Sequence, residues 1–500
     1  MLLRTLLLSL RRVLFALPDS TGHTASGQQA GCPCTRSLGV WRSTMLLPWL
    51  AVVASVVPSS VAQGDDWPQW LGPQRDSVWR ETEIVERIPE SGPVVRWRVP
   101  ISGGYTGPAV AAHRVFVMDY LTDGERTASP DARPQLAGKE RVLCLDAATG
   151  KVIWTHEYDC PYEISYPAGP RATPTVDGDL VYTLGSEGDL RCLTAADGRL
   201  VWAKSFKKDF QAKTPLWGFC GHPLVDGEKL ICIVGGPGRL VMALDKRTGN
   251  EIWRSLDAEQ PGYSAPTIVQ AGGVRQLLIW HSAALASLNP ETGDVYWSEK
   301  LDPNYGMSIV TPRLDGDLLF VGGIIHKSMM VRLDERRPTA TVAWMGSKEV
   351  GIDPVHSTPF PEKGVLYGVS REGALSAVQM ANGSILWQTF DLMPDARRAH
   401  SGTIFLVKHE DRFLLMTDSG ELVIARLTPE GHQWLSRTPL LETTSSGMGR
   451  SVVWSHPAFA DRCMFARNDK EILCVSLSSE DYTDVTNEAE TAPPRRTPAP

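Results

Sequence analysis

Four histidines, an arginine and three large aromatic residues stand at matched points along this 500-residue chain. The markers are dipeptides that open successive apolar stretches. They read Gly107-Pro108, Thr173-Pro174, His222-Pro223, Ala265-Pro266, Thr311-Pro312, Thr358-Pro359 and His456-Pro457, with Gly402-Thr403 in the same role. Two residues before each dipeptide stand Tyr105, Arg171, Cys220, Tyr263, Ile309, His356, His400 and Trp454. Neutral imidazoles beside a guanidinium suit an anion, because arginine stays charged and grips a carboxylate or phosphate with two parallel hydrogen bonds. Protonation of the histidines near pH 6.5 should then tighten such binding. Convergent imidazoles also suit a metal ion, which needs three or four of them. The plain alternative is a water-filled polar channel whose histidines bond to neighbouring loops. The candidate ligand set is Arg171, His222, His356, His400, His456, Tyr105 and Tyr263, and no residue is singled out as catalytic.

These residues come together only if the stretches after the dipeptides surround one axis, and the chain's repeats provide that. LCLDAATGKVIW at Leu143–Trp154 returns as LRCLTAADGRLVW, LVMALDKRTGNEIW and ALASLNPETGDVYW. Each phrase carries an apolar run, turns at Asp-x-x-Thr-Gly or a close variant of it, and reaches a tryptophan. The run reads as a half-buried strand, and the Asp and Gly as a hairpin turn. Trp97, Trp154, Trp202, Trp253, Trp297, Trp344, Trp387 and Trp434 recur every 43 to 57 residues, the period of a four-stranded propeller blade. The reading is an all-β, eight-bladed β-propeller in which each of these tryptophans docks one blade on the next. The last unit ends at EILCVSL, Glu471–Leu477, without a tryptophan, while Trp97 has no strands before it. The strand near Val94–Val99 is therefore expected to complete the last blade, and closure by both termini hides the sheet edges. Residues two apart on a strand point the same way, so the matched side chains should converge at the channel mouth.

The phrase resembles the pyrroloquinoline-quinone (PQQ) repeat of eight-bladed quinoprotein alcohol dehydrogenases, where Ala-x-Asp-x-x-Thr-Gly-x-x-x-Trp is the tryptophan-docking motif. It also resembles the propeller of the outer-membrane β-barrel assembly lipoprotein. DWPQWLGPQRD at Asp66–Asp76, with the stretches Gly169–Pro174, Trp217–Phe219, Gly235–Gly238, Pro261–Ser264, Tyr305–Ser308 and Val452–Phe459, is similar to a group of exported bacterial PQQ-like propellers. The dehydrogenase resemblance implies a quinone between a tryptophan floor and a vicinal disulfide, with Ca²⁺ on Glu, Asn and Asp and an Asp base. No Cys-Cys pair exists in this chain, and Asn304, Asn468 and Asp353 are the nearest substitutes. PQQ with calcium therefore enters through the resemblance alone, and no cofactor is read from the residues themselves. Three functions follow: an exported binding or scaffold module with an axial polar pocket, without catalysis; a PQQ-dependent dehydrogenase with a reduced site; and a hydrolase or lyase built on the axial His and Arg residues.

Composition narrows the partners. A formal charge of −7 argues against nucleic acid, which requires a basic surface, and leaves an unknown protein or a small anionic ligand. Residues 1–62 read as a leader and signal peptide: Met45–Ala62 is apolar and ends in Ser60-Val61-Ala62, a cleavable pattern. Pro48 and Pro58 leave too short an apolar run to cross ~30 Å of hydrocarbon, so no membrane span is expected in the mature chain, which is read as exported, periplasmic or extracellular. Residues 63–92 read as an extension packing on the propeller, 93–480 as the propeller and 481–500 as a disordered tail. The insertion Leu121–Glu140 in blade one reads as a lid or a loose loop. Cys144, Cys192 and Cys474 fall inside apolar strands, while Cys160, Cys220 and Cys232 are candidates for a disulfide.

Overall fold

The computed structural model describes residues 65–126 and 132–482; the expected leader and most of the expected tail lie outside them. Eight four-stranded antiparallel sheets follow one another. Blade one uses Ala109–Ala111, Arg114–Leu121, Lys139–Asp146 and Val152–Asp159, in that order from the axis outward. The innermost strands are short, often three residues, and open at or just after the prolines, whose missing N–H costs nothing at a strand's first residue. The last blade is completed by Val95–Pro100, which pairs antiparallel with Glu471–Ser476 and sets Trp97 opposite Cys474. Tyr482, inside the expected tail, is buried and its hydroxyl donates to the Ser476 carbonyl.

The repeated phrase is a joint between blades. In blade one the Thr149 amide and hydroxyl both donate to Asp146 Oδ1, at 2.8 and 2.6 Å, which holds the turn. Gly150 then adopts φ 72°, and a Cβ there would stand 2.7 Å from the Trp97 ring. The glycine is needed twice, for its backbone and for the indole lying on it. Trp97 Nε1 donates to the Ala147 carbonyl in the same turn, at 2.8 Å. Trp154, Trp202, Trp253, Trp344 and Trp387 repeat the bond, on the carbonyls of Ala195, Lys246, Pro290, Met380 and Thr428. Every outer strand also carries a register shift beside its tryptophan. Such a bulge bends the strand and twists its exposed edge away from pairing.

Two tryptophans expected to dock do not. Trp297 faces the turn of blade five, where Asp334-Glu335-Arg336-Arg337-Pro338 lacks the glycine. Its N–H goes instead to Gln276 Oε1 of its own blade, at 2.8 Å. Trp434, opposite Ala425, packs on the blade-six side in the same cluster as Trp387 and Phe390, while Leu435 takes the side of the closing blade, whose outer strand comes from the N-terminus and offers no hairpin turn. Trp434 reaches Asp391 Oδ2 at 3.4 Å and lies against His432. Its phrase is one residue shorter between Gly431 and Trp434, and there the register shift falls after the tryptophan rather than before it.

A second set of contacts ties the inner strands. Acids at the ends of these strands reach the next blade: Lys246 bonds Asp177 at 2.8 Å, Lys408 bonds Glu362 at 2.7 Å, and the Gly364 amide donates to Asp315 at 2.6 Å. The N-terminal extension packs inside the ring. Trp67 bridges Val110 of blade one, and the Pro68 carbonyl accepts from Val176 of blade two. Arg75 donates to the carbonyls of Pro223 and Pro266 in blades three and four, and Arg313 of blade five donates to the Arg75 carbonyl. Ser77 and Trp79 exchange backbone bonds with Lys408 in blade seven. Leu71, Arg75 and Ser77 all hold left-handed φ near 54–61°, a strain of order 1 kcal/mol or more each that these bonds offset.

Replacing Trp253 with Ala is expected to cost ~3–5 kcal/mol, as for other large buried aromatics. The same change at the half-buried Trp434 should cost clearly less. Denaturant midpoints of both variants test the order; equal losses would show that the blade-to-blade bond adds nothing.

Candidate functional site

All eight residues that precede the dipeptides, Tyr105, Arg171, Cys220, Tyr263, Ile309, His356, His400 and Trp454, line one cavity of about 400 Å³ at the channel mouth. Of the positions two further along, only His222 and His456 reach it. The seven candidate ligand residues therefore meet around one well, because each is carried into the axis by the start of an innermost strand.

Their partners change what they can do. Arg171 does not present a free fork. Its Nη1 donates to the Gly169 carbonyl and Ser186 Oγ, and its Nη2 to the carbonyls of Ser165 and Tyr166. The guanidinium also lies 5.1 Å over the Tyr105 ring. The expected bidentate anion grip by Arg171 is corrected: the group is spent holding the loop between blades one and two. The cation with donors left over is Arg371, whose Nη2 donates to His400 Nε2 at 2.6 Å.

Hydrogen bonding and burial favour the neutral form of the histidines. The Thr173 amide donates to His222 Nδ1 at 2.8 Å, which leaves the ring proton on Nε2. His356 Nδ1 lies 3.1 Å from Thr403 Oγ1, whose hydroxyl donates to the Ser401 carbonyl, so the imidazole supplies the other proton. Burial pushes His356 and His456 down to about 4. Burial first, then the Arg75 charge and His456, holds His222 well below the usual imidazole range. His400 is lowered by burial and by Arg371 and Arg450. Against the expected switch near pH 6.5, desolvation opposes a charge on every one of these rings, most clearly on His356 and His456.

Other residues of the well escaped the sequence reading. Trp70 arrives from the N-terminal extension and stacks on His222, centroids 4.1 Å apart and planes within 10°. Tyr166 and Met448 come from two connections between blades and meet, hydroxyl to sulfur, at 3.7 Å. Trp217, Tyr305 and Arg371 also lie on loops. Loops carry no period, so register could not place them. The stretches WPQW, WGF and YGMS contained three of them as family signatures without a role. Tyr263 OH, Trp454 Nε1 and His456 Nε2 are buried without a hydrogen-bond partner. A buried polar atom left this way costs about 1–3 kcal/mol, which a ligand's acceptor or donor would relieve.

The well does not suit a calcium-bound quinone. No Asp or Glu lines it, whereas Ca²⁺ takes six to eight oxygen ligands. Asn468 caps a turn, accepting from the amides of Lys470 and Glu471, and Asp353 pairs with His326 at 3.2 Å. All seven described cysteines are free, which corrects the disulfide considered for Cys160, Cys220 and Cys232. Among the described residues no group of three or more His, Cys, Asp or Glu is placed to hold a metal ion. Nor is any described helix long and apolar enough to cross a membrane.

The family described as outer membrane protein assembly factor BamB matches residues 138–346 and again 338–495. The outer membrane protein assembly factor BamB of Yersinia pestis is 25% identical over 210 residues, which is 38% of this chain and 49% of that protein. The chain thus spans about half the length of the curated relative it matches. Among solved structures, the quinohemoprotein alcohol dehydrogenase of Comamonas testosteroni superposes with a TM-score of 0.53 at 13% identity, over 83% of this chain and 80% of that one. The quinohemoprotein alcohol dehydrogenase of Pseudomonas putida HK5 gives 0.51 at 12% identity, over 87% and 82%. These two likenesses are of fold.

The buried imidazoles set a pH dependence. A base whose folded value lies below its unfolded value near 6.5 contributes stability that is full above pH 6.5 and lost as pH falls toward 4. For His456 the loss is about 1 kcal/mol per pH unit in that window. The ring resonances of His356 and His456 are expected to stay still between pH 8 and 5.5 in NMR titrations; midpoints near 6.5 would reverse the assignment.

Proposed function

The chain belongs to the family described as outer membrane protein assembly factor BamB, and from that premise we propose that it is an exported binding or scaffold propeller without catalysis. In this reading the axial well receives a small anionic ligand, or an anionic group of a protein partner. The observation that carries it is the well's lining: aromatic walls, no carboxylate, three buried polar atoms without partners, and Arg371 at the mouth. A cavity of about 400 Å³ falls in the size range of small-molecule sites. Tyr263 and Trp454 supply donors at depth, while the neutral histidines add polarity without charge. Arg371 supplies the charge, on the loop between the second and third strands of blade six. The same acid-free lining argues against a resident calcium and against a carboxylate base. Export rests on the cleavable pattern at Ser60-Val61-Ala62.

Two measurements test the proposal. Purified full-length protein mixed with PQQ and Ca²⁺ is expected to show no alcohol-dependent dye reduction; turnover would replace the scaffold reading with a dehydrogenase. Benzoate, as a simple aromatic anion, is expected to bind in calorimetric titrations and to lose at least fivefold in affinity in Arg371→Met. Benzoate binding that ignores Arg371, or no binding at all, would remove the anion reading of the well.

A further inference from the structure

The floor of the well carries an arrangement that anion binding at Arg371 does not require. Trp70 is clasped by residues from three separate blades. His222 of blade three lies parallel to the indole at 4.1 Å. His456 of blade eight leans on it at 4.8 Å. Thr311 of blade five, 1% exposed, accepts the indole N–H at 2.9 Å. His222 cannot turn away, because the Thr173 amide pins its Nδ1.

The segment that carries Trp70 is shaped to deliver it. Trp67 and Trp79, both 1% exposed, anchor the two ends, and Arg75 holds the middle through two carbonyls. Leu71, directly after Trp70, adopts φ 61°, and Gly72 follows at 83° with Trp67 packed where a Cβ would be. A β-strand lying in the channel would need none of this contortion. Its effect is to turn one indole of three upward onto the axis, where it becomes part of the well's floor.

We infer that the axial channel contains a slot for a flat, N–H-bearing bicyclic heteroaromatic, and that the chain fills this slot with its own Trp70, an intramolecular ligand. The slot shares His222 and His456 with the lining of the well, but it requires neither Arg371 nor a bound anion. An outside aromatic molecule of this class reaches the axis only when the indole is absent. The slot's specificity follows from its three walls: the parallel face of His222 demands flatness, the tilted His456 ring closes one side, and the Thr311 oxygen demands a donor.

The test removes the side chain and supplies it from solution. Trp70→Gly in the full chain is expected to lower the melting temperature by several degrees and to bind one equivalent of indole, which restores stability. Indole should leave the wild-type melting temperature unchanged. 1-Methylindole, of similar shape but without the N–H, should bind at least tenfold more weakly. Indole binding to Trp70→Gly no better than to wild type would overturn the inference, and so would equal binding of indole and 1-methylindole. Should Trp70→Gly fail to fold, Thr311→Val decides. The Trp70 indole N–H resonance is expected to move upfield as its acceptor is lost, and an unmoved resonance overturns the slot. Benzoate binding reads the anion site alone, so the two readings fail separately.

Discussion

An indole N–H on the outer strand of one blade meets a carbonyl in the turn of the next, and the ring depends on that contact. Antiparallel sheets packed face to face have no intrinsic preference for a fixed angle about an axis. The indole supplies one. It is large, flat and polar at one edge, so it lies on the turn glycine and is oriented by a single bond. The glycine, the aspartate that closes the turn and the bulge beside the tryptophan all serve this one geometry. Where the receiving turn is rebuilt, as at Asp334–Pro338, the indole bonds within its own blade, and where it is missing, as in the closing blade, the indole turns back to Asp391 on the connection after blade six. The joint therefore belongs to a pair of blades rather than to a blade.

A ring closed in this way leaves a channel whose wall is made of short strands with free backbone groups. Such groups need partners when water is excluded. The N-terminal segment answers part of that need. Arg75, buried without any carboxylate within its bonds, donates to neutral oxygens alone. Burial lowers it to about 9, still above physiological pH, so it remains a cation inside the ring. That charge adds to burial in holding His222 well below the usual imidazole range. The plug and the electrostatics of the well are thus one system, although they derive from sequence positions more than a hundred residues apart.

The chemistry of the well follows from what surrounds each group more than from the groups themselves. Arg171 has the right residue type for anion recognition but spends its donors on loop carbonyls. Four imidazoles have the right type for a pH switch but sit where desolvation opposes a charge. Arg371, unremarked by its spacing, is the cation that retains access. Side-chain type sets a repertoire, and the local network selects from it.

Period-bearing features were legible in the sequence. The eight blades, the closure by Val95–Pro100 and the convergence of Tyr105, Arg171, His222, Tyr263, His356, His400 and His456 all follow from spacing. A strand has a fixed period of two and a blade a fixed order, so position along the chain converts directly into direction in space. Tertiary structure alone decided what has no period. It placed Trp70 under His222 and Arg371 beside His400, let Trp297 and Trp434 miss the next blade, and buried His222 and His456. Those outcomes depend on through-space distances between loops and blades remote in sequence, and on how much water the packed ring leaves around each charge.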